Sequence, residues 1–134
     1  MKFHRIIIVG CGQIGASIGL NLRTQRHIAP VIGVDTDRRN LLQALKQRSI
    51  GKIFHVKKTS DVLRLNLSEK DLVVLAVPVL TIQKYLELLP RGPLVMDVGS
   101  TKRSISQEAR RRKLRYVGAH PVAVKELVGV LVAL

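Results

Sequence analysis

Ile6-Ile7-Ile8-Val9-Gly10-Cys11-Gly12-Gln13-Ile14-Gly15 decides how this chain is read, because an apolar run ends in glycines spaced to receive a pyrophosphate. The pattern is strand, tight turn, helix. Gly10 suits the turn, Gly12 lets backbone N–H groups approach phosphate oxygens, and Gly15 lets the new helix pack closely on the sheet. The amino end of that helix, at Gln13 and Ile14, then turns its partial positive charge toward the anion. A second apolar run, Pro30-Val31-Ile32-Gly33-Val34-Asp35, ends in an acid twenty residues after Gly15. A carboxylate there accepts hydrogen bonds from the adenosine ribose and repels a 2′-phosphate, so Asp35 points to NAD rather than NADP as the cofactor. Arg38 and Arg39 follow within one turn and would be the groups to hold a 2′-phosphate; they are read as solvated cations.

Outward from this unit, helical and strand patterns alternate with short connections. A helix over 14–25 joins the first two strands. Residues 37–48 carry Leu41, Leu42 and Leu45 at helical spacing, and 52–56 reads as a short edge strand. Residues 71–77 form a continuous apolar run stopped by Pro78, the pattern of a parallel strand covered on both faces. A helix over 81–89, a strand over 94–98, a helix over 101–113 and a strand over 116–119 follow. Six strands separated by helices predict an α/β fold: a Rossmann-type doubly wound, mainly parallel sheet with helices on both faces and ligands at the carboxyl ends of the strands.

With 134 residues, 46% of them hydrophobic, the chain suits one domain that buries roughly two-thirds of its unfolded surface. Cys11 is the only cysteine, so no internal disulfide can form. It reads as a small side chain filling a loop position in a reducing compartment. Met1-Lys2 leads straight into a core strand without the pattern of a signal peptide, and no run approaches the ~20 apolar residues of a membrane span. A cytoplasmic protein with no membrane partner is expected. The charge is strongly positive, 23 Lys plus Arg against 9 Asp plus Glu for a net +14, a field that attracts any anion. Its densest cluster is Arg110-Arg111-Arg112-Lys113 with Arg115, preceded by Lys102 and Arg103. Phe3 and Phe54 lie far from it and Tyr116 alone touches it, so a stacking platform for nucleic acid is poorly supported. The cluster reads as cations suited to a helix carboxyl end and a solvated face.

Polar residues gather where the strands end: Val77-Pro78-Val79, Gly99-Ser100-Thr101-Lys102 and His120-Pro121. Val77 and Pro78 fall on the cofactor side of the crevice. The constellation fits hydride transfer, with His120 as the base that takes a hydroxyl proton and Ser100 and Lys102 as substrate contacts. Ser100 is equally placed to cap the next helix. His4, His27 and His55 lack such placement and read as surface or capping residues, and no metal site is indicated.

Val9-Gly10-Cys11-Gly12-Gln13-Ile14-Gly15-Ala16-Ser17, Ala76-Val77-Pro78, Asp97-Val98-Gly99-Ser100-Thr101-Lys102 and Gly118-Ala119-His120-Pro121-Val122-Ala123-Val124-Lys125-Glu126 together resemble the N-terminal domain of prephenate and arogenate dehydrogenases, over nearly the whole chain. The resemblance implies an NAD-dependent oxidative decarboxylation in tyrosine biosynthesis. In it His120 accepts or polarises the hydroxyl proton and Ser100 contacts the substrate, prephenate or arogenate. It also implies a dinucleotide-binding domain over 1–121, and an apolar segment over 122–134 that opens a region continuing, in the family, into a helical domain. That domain forms the dimer, completes the substrate pocket and contributes an arginine for the substrate carboxylates. Residues 122–134 carry only two charges, Lys125 and Glu126, and so apolar a stretch is expected to pack across a self-association interface or onto the sheet edge. Two other classes stand beside this one: a stand-alone dinucleotide-binding or sensing domain without catalysis, and a basic nucleic-acid-binding protein. Ser100 and His120 together favour the dehydrogenase over the first, and the second rests on charge alone.

Overall fold

The computed structural model describes residues 3–24, 29–98 and 103–118. In chain order they form β1 (Arg5–Val9), α1 (Gln13–Arg23), β2 (Val31–Asp35), α2 (Arg38–Lys46), β3 (Lys52–His55), a 3₁₀ segment (Thr59–Leu65), β4 (Asp71–Leu75), α3 (Val79–Leu88), β5 (Leu94–Asp97), α4 (Arg103–Arg111) and β6 (Arg115–Gly118). The strands make one parallel sheet in the order β3-β2-β1-β4-β5-β6, the expected doubly wound arrangement. Its order reverses between β1 and β4, which opens a crevice at their carboxyl ends.

The apolar runs are continuous in β1 and β4 because both faces of those strands are covered. Ile6, Ile8, Leu72, Val74 and Met96 form one layer with Ile18 and Leu22 of α1 and Leu41 and Ala44 of α2. Ile7, Val9, Val73, Leu75 and Val95 form the other with Val62 of the 3₁₀ segment, Ile82 and Leu86 of α3, and Ile105 of α4. Each fully buried aliphatic side chain is worth about 1.5–3 kcal/mol, and these two layers fix the crevice between them.

Several boundaries differ from the sequence expectation for local reasons. β4 stops at Leu75, since the Ala76 N–H makes its bond to Val9 O (2.7 Å) and the chain then leaves the sheet. α3 starts at Val79 rather than 81, because Pro78 acts as its N-terminal cap and its carbonyl accepts from Thr81 and Ile82 N–H. The 3₁₀ segment was not expected. It is fastened by the Asp61 carboxylate, which accepts from Lys57 and Lys58 N–H, and by burial of Val62. The basic cluster is also less uniform than expected. Arg110 and Arg111 do occupy the last turn of α4, and Arg111 pairs with Glu108. Arg115 is instead a strap, donating to Glu69 O (3.1 Å) and Gly92 O (2.9 Å) at the opposite edge of the sheet from the crevice.

At that same edge Arg5 grips Asp71 with two bonds, Nε to Oδ1 (2.9 Å) and a terminal nitrogen to Oδ2 (2.8 Å). The Asp71 side chain is 1% exposed. Burial works against its charge, but the Arg5 bond and the Ser68 N–H outweigh burial and hold the pKa below the ordinary carboxylate value. Arg5→Met therefore strands a buried charge and is expected to cost about 3 kcal/mol at neutral pH. The folded pKa lies below an unfolded value of about 3.9, so this stabilisation is complete above that value and is lost as pH falls through the lowered one. Urea unfolding of Arg5→Met and the unmodified chain should show a gap at neutral pH that narrows near pH 3. A gap that is constant with pH would refute the assignment.

Candidate functional site

The crevice is built from the end of β1. Gly10 has φ +95°, a conformation L side chains rarely adopt, and its N–H donates to Val34 O at 2.7 Å. A Cβ placed on it would lie 2.4 Å from Ala76 O and 2.7 Å from Val77 Cγ1, so the turn is wedged against the chain leaving β4. Gly15 serves a different purpose: a Cβ there would lie 1.8 Å from Gly10 O, and α1 reaches the turn only because nothing is present. Gly12, the N-cap of α1, is exposed and in an extended conformation, and a Cβ on it would meet nothing within 4 Å. It faces open space.

That open face fits a pyrophosphate. The N-cap provides no side-chain hydrogen bond and the first turn of α1 contains no acid, so the N–H groups there keep their affinity for an outside anion. Gln13 and Ile14 are exposed at this point. At the neighbouring strand end, Asp35 Oδ2 accepts from Cys11 N–H (2.9 Å) and from Asn40 Nδ2 (3.3 Å), and Oδ1 accepts from Asp37 N–H (2.8 Å). The carboxylate thus ties the glycine turn to the end of β2 while remaining half-exposed to a ribose. Asp37 caps α2 through Arg39 N–H, and Arg38 and Arg39 are exposed, as expected.

Cys11 is buried, its thiol near Ile8 O and Val34 O. Burial, then the Asp35 charge, push its pKa up to about 12, so the thiol stays neutral and fills space. His55 sits at the end of edge strand β3 with Nε2 3.0 Å from Thr36 O, an ordinary local contact.

The structure therefore brings Gly10, Gly12, Gly15, Asp35 and Val77 around one turn, with Gln13 and Ile14 at its rim and Pro78 exposed at the start of α3. Ser100, Lys102 and His120 lie outside the described residues, as does the apolar segment 122–134. Sequence reasoning missed Asn40 as a partner of Asp35. It also missed the bond that half-buried Tyr116 of β6 donates from its hydroxyl to Oδ2 of buried Asp97, the last residue of β5. Burial and then the Asp97 bond raise the Tyr116 pKa, so the phenol remains a donor. Among the described residues no group of His, Cys, Asp and Glu could hold a metal ion, and no helix is long and apolar enough to cross a membrane.

Comparison with known proteins agrees with this geometry. Residues 18–134 match the family model described as prephenate dehydrogenase, nucleotide-binding domain. Prephenate dehydrogenase from Lactococcus lactis subsp. cremoris (strain MG1363) is 32% identical over 96% of this chain and 37% of its own length. The Bacillus subtilis (strain 168) prephenate dehydrogenase is 30% identical over 96% of the chain and 35% of its own length. The chain thus spans little more than a third of the curated relatives it matches. Among solved structures, prephenate dehydrogenase from A. aeolicus, in complex with hydroxyphenyl propionate and NAD+, superposes with a TM-score of 0.76 at 24% identity, over 92% of this chain and 43% of that one. Synechocystis arogenate dehydrogenase gives 0.66 at 25% identity, over 87% and 40%. The glycine turn, the acid closing β2, the sheet order and the matched span converge on one conclusion: the chain belongs to the prephenate dehydrogenase family, in the part of it that binds the nucleotide.

Proposed function

We propose that this chain is the NAD-binding portion of a cytoplasmic dehydrogenase that oxidatively decarboxylates prephenate or arogenate in tyrosine biosynthesis. The observation that carries the reading is the glycine turn, open at Gly12 and fastened to Asp35, in a chain of this family. The N–H groups at the start of α1, at Gly12, Gln13 and Ile14, hold the pyrophosphate. Asp35 accepts from the adenosine ribose, and Val77 and Pro78 wall the crevice. Bound NAD supplies the hydride acceptor. Following β5 and β6 in the chain, Ser100 and Lys102 bind and orient the substrate, and the His120 imidazole takes the proton of its ring hydroxyl. Loss of carbon dioxide then leaves an aromatic ring. The apolar stretch 122–134 serves self-association, since so much aliphatic surface calls for a partner.

Calorimetric titration at fixed salt tests the cofactor assignment; salt must be fixed because a net charge of +14 draws in any phosphate. NAD is expected to bind at least about tenfold more tightly than NADP, the equivalent of one charge-assisted hydrogen bond. Asp35→Ser should narrow that gap. It should also weaken both nucleotides, because the Cys11 and Asp37 N–H groups lose their acceptor. NADP preferred by the unmodified chain would overturn the assignment and shift the selectivity to Arg38 and Arg39.

A further inference from the structure

Asp35 is bonded more heavily within the protein than a ribose-binding acid needs to be. A carboxylate offers about four acceptor positions, two on each oxygen. Oδ2 uses both of its own, for Cys11 N–H and for the side-chain amide of Asn40, and Oδ1 uses one, for Asp37 N–H. One position is left, on Oδ1, whereas the ribose of an adenosine presents two neighbouring hydroxyls.

Asn40 stands where the second acceptor is needed. It is the third residue of α2, half-buried, on a helix already capped by Asp37 through Arg39 N–H. Capping therefore does not explain it, and the usual residue at this place would be Glu or Gln. A Glu would set a second negative charge against Asp35. Asn instead donates Nδ2 to Asp35 Oδ2 at 3.3 Å. Since an ionised acid only accepts, this bond decides how the planar amide faces: its NH₂ toward Asp35, its Oδ1 turned from the carboxylate but still beside it. Among the described residues no donor reaches that Oδ1. The pair thus keeps two acceptors without a protein partner, one on each residue.

We propose that Asn40 is a ribose-binding residue that shares the adenosine diol with Asp35: Asp35 Oδ1 accepts from one hydroxyl and Asn40 Oδ1 from the other. The inference rests on the functional reading above for the place of the ribose. Cofactor choice then belongs to the pair. A 2′-phosphate would remove one of the two donors and bring its charge against Asp35, so the site rejects it twice over.

The test is a cycle of calorimetric titrations at fixed salt on the 134-residue chain and on Asn40→Ala. The ligands are NAD and its two analogues that lack the 2′ or the 3′ hydroxyl of the adenosine ribose. Alanine is the best helix former and Asp37 keeps the cap, so the variant folds. Asn40→Leu, of nearly the original shape, carries the same expectation if alanine disturbs the helix. Asn40→Ala should weaken NAD about three- to tenfold, the worth of one hydrogen bond. One analogue should lose a similar factor on the unmodified chain, yet bind the variant as well as NAD does. The other should lose equally on both proteins, because its missing hydroxyl belongs to Asp35. A residue that merely steadied the Asp35 carboxylate would make both losses shrink in the variant, and that result would overturn the proposal. So would a variant that binds NAD as tightly as the unmodified chain. An unmodified chain that binds no NAD would overturn the functional reading, and this inference with it.

Discussion

Gly12→Val is expected to leave the chain folded and abolish specific NAD binding, whereas Gly10→Val is expected to remove much of the fold's stability. Gly12 has φ −73° in an extended conformation and a Cβ there meets nothing within 4 Å, so a β-branched residue is accommodated by the protein itself. The same branch occupies the space into which the pyrophosphate must come, and the loss should be at least about a hundredfold in affinity. Gly10 is the reverse case. Its φ of +95° strains any L side chain, and a Cβ 2.4 Å from the Ala76 carbonyl has backbone as its obstacle. Strain and overpacking at roughly 1–3 kcal/mol each put the cost near 4 kcal/mol, a large part of what a domain of this size has. Thermal unfolding and calorimetry on the two variants separate these outcomes. Gly12→Val that still binds NAD at moderate salt would show the turn is not the cradle; binding that persists only at low salt would indicate attraction by net charge alone.

The 134-residue chain assayed by itself should bind NAD yet turn over prephenate or arogenate far below the roughly 1 to 10³ per second usual for enzymes. Holding a donor carbon against the cofactor is worth about 7–11 kcal/mol of a barrier, and it requires walls on every side of the substrate. On the function proposed above, Ser100, Lys102 and His120 would supply one wall. The curated relatives are nearly three times as long, and the family resemblance assigns the opposing wall and the carboxylate-binding arginine to the part this chain does not span. Fusion to the remainder of such a relative should restore NADH production. His120→Asn in that fusion should then remove about 10²- to 10⁴-fold of it, the usual worth of a positioned general base. Ordinary turnover by the isolated chain, or a fusion indifferent to His120→Asn, would refute the argument.

How much of this was legible beforehand depended on whether the backbone or a distant side chain decided the feature. The glycine turn and Asp35 were readable because each glycine answers a backbone demand that recurs at fixed spacing, and all three demands are met. The buried strands were readable because two covered faces leave no polar alternation. The carboxyl end of β4 and the amino end of α3 were misplaced by two residues because Val77, though apolar, had already left the ladder, and Pro78 acts through its carbonyl rather than through a capping side chain. The 3₁₀ segment had no periodic signature, being held by a single carboxylate over two N–H groups. Arg5–Asp71, Arg115 and Asp97–Tyr116 were beyond reach for another reason. Their partners lie 19 to 66 residues away, and only the strand register brings them together. Ser100, Lys102 and His120, placed from motif and strand order, remain the proposal's catalytic side and lie outside the described residues.

The glycine turn is held from three directions: by Val34 O and Asp35 from β2, by Ala76 and Val77 from the chain leaving β4, and by α1 pressed against the Gly10 carbonyl. A loop so restrained is preorganised, and little ordering entropy is left to lose when a dinucleotide arrives. Association should then be a matter of encounter, accelerated by the positive field of the chain and slowed by salt. Substitutions around the turn would be felt in how long the nucleotide stays rather than in how fast it comes.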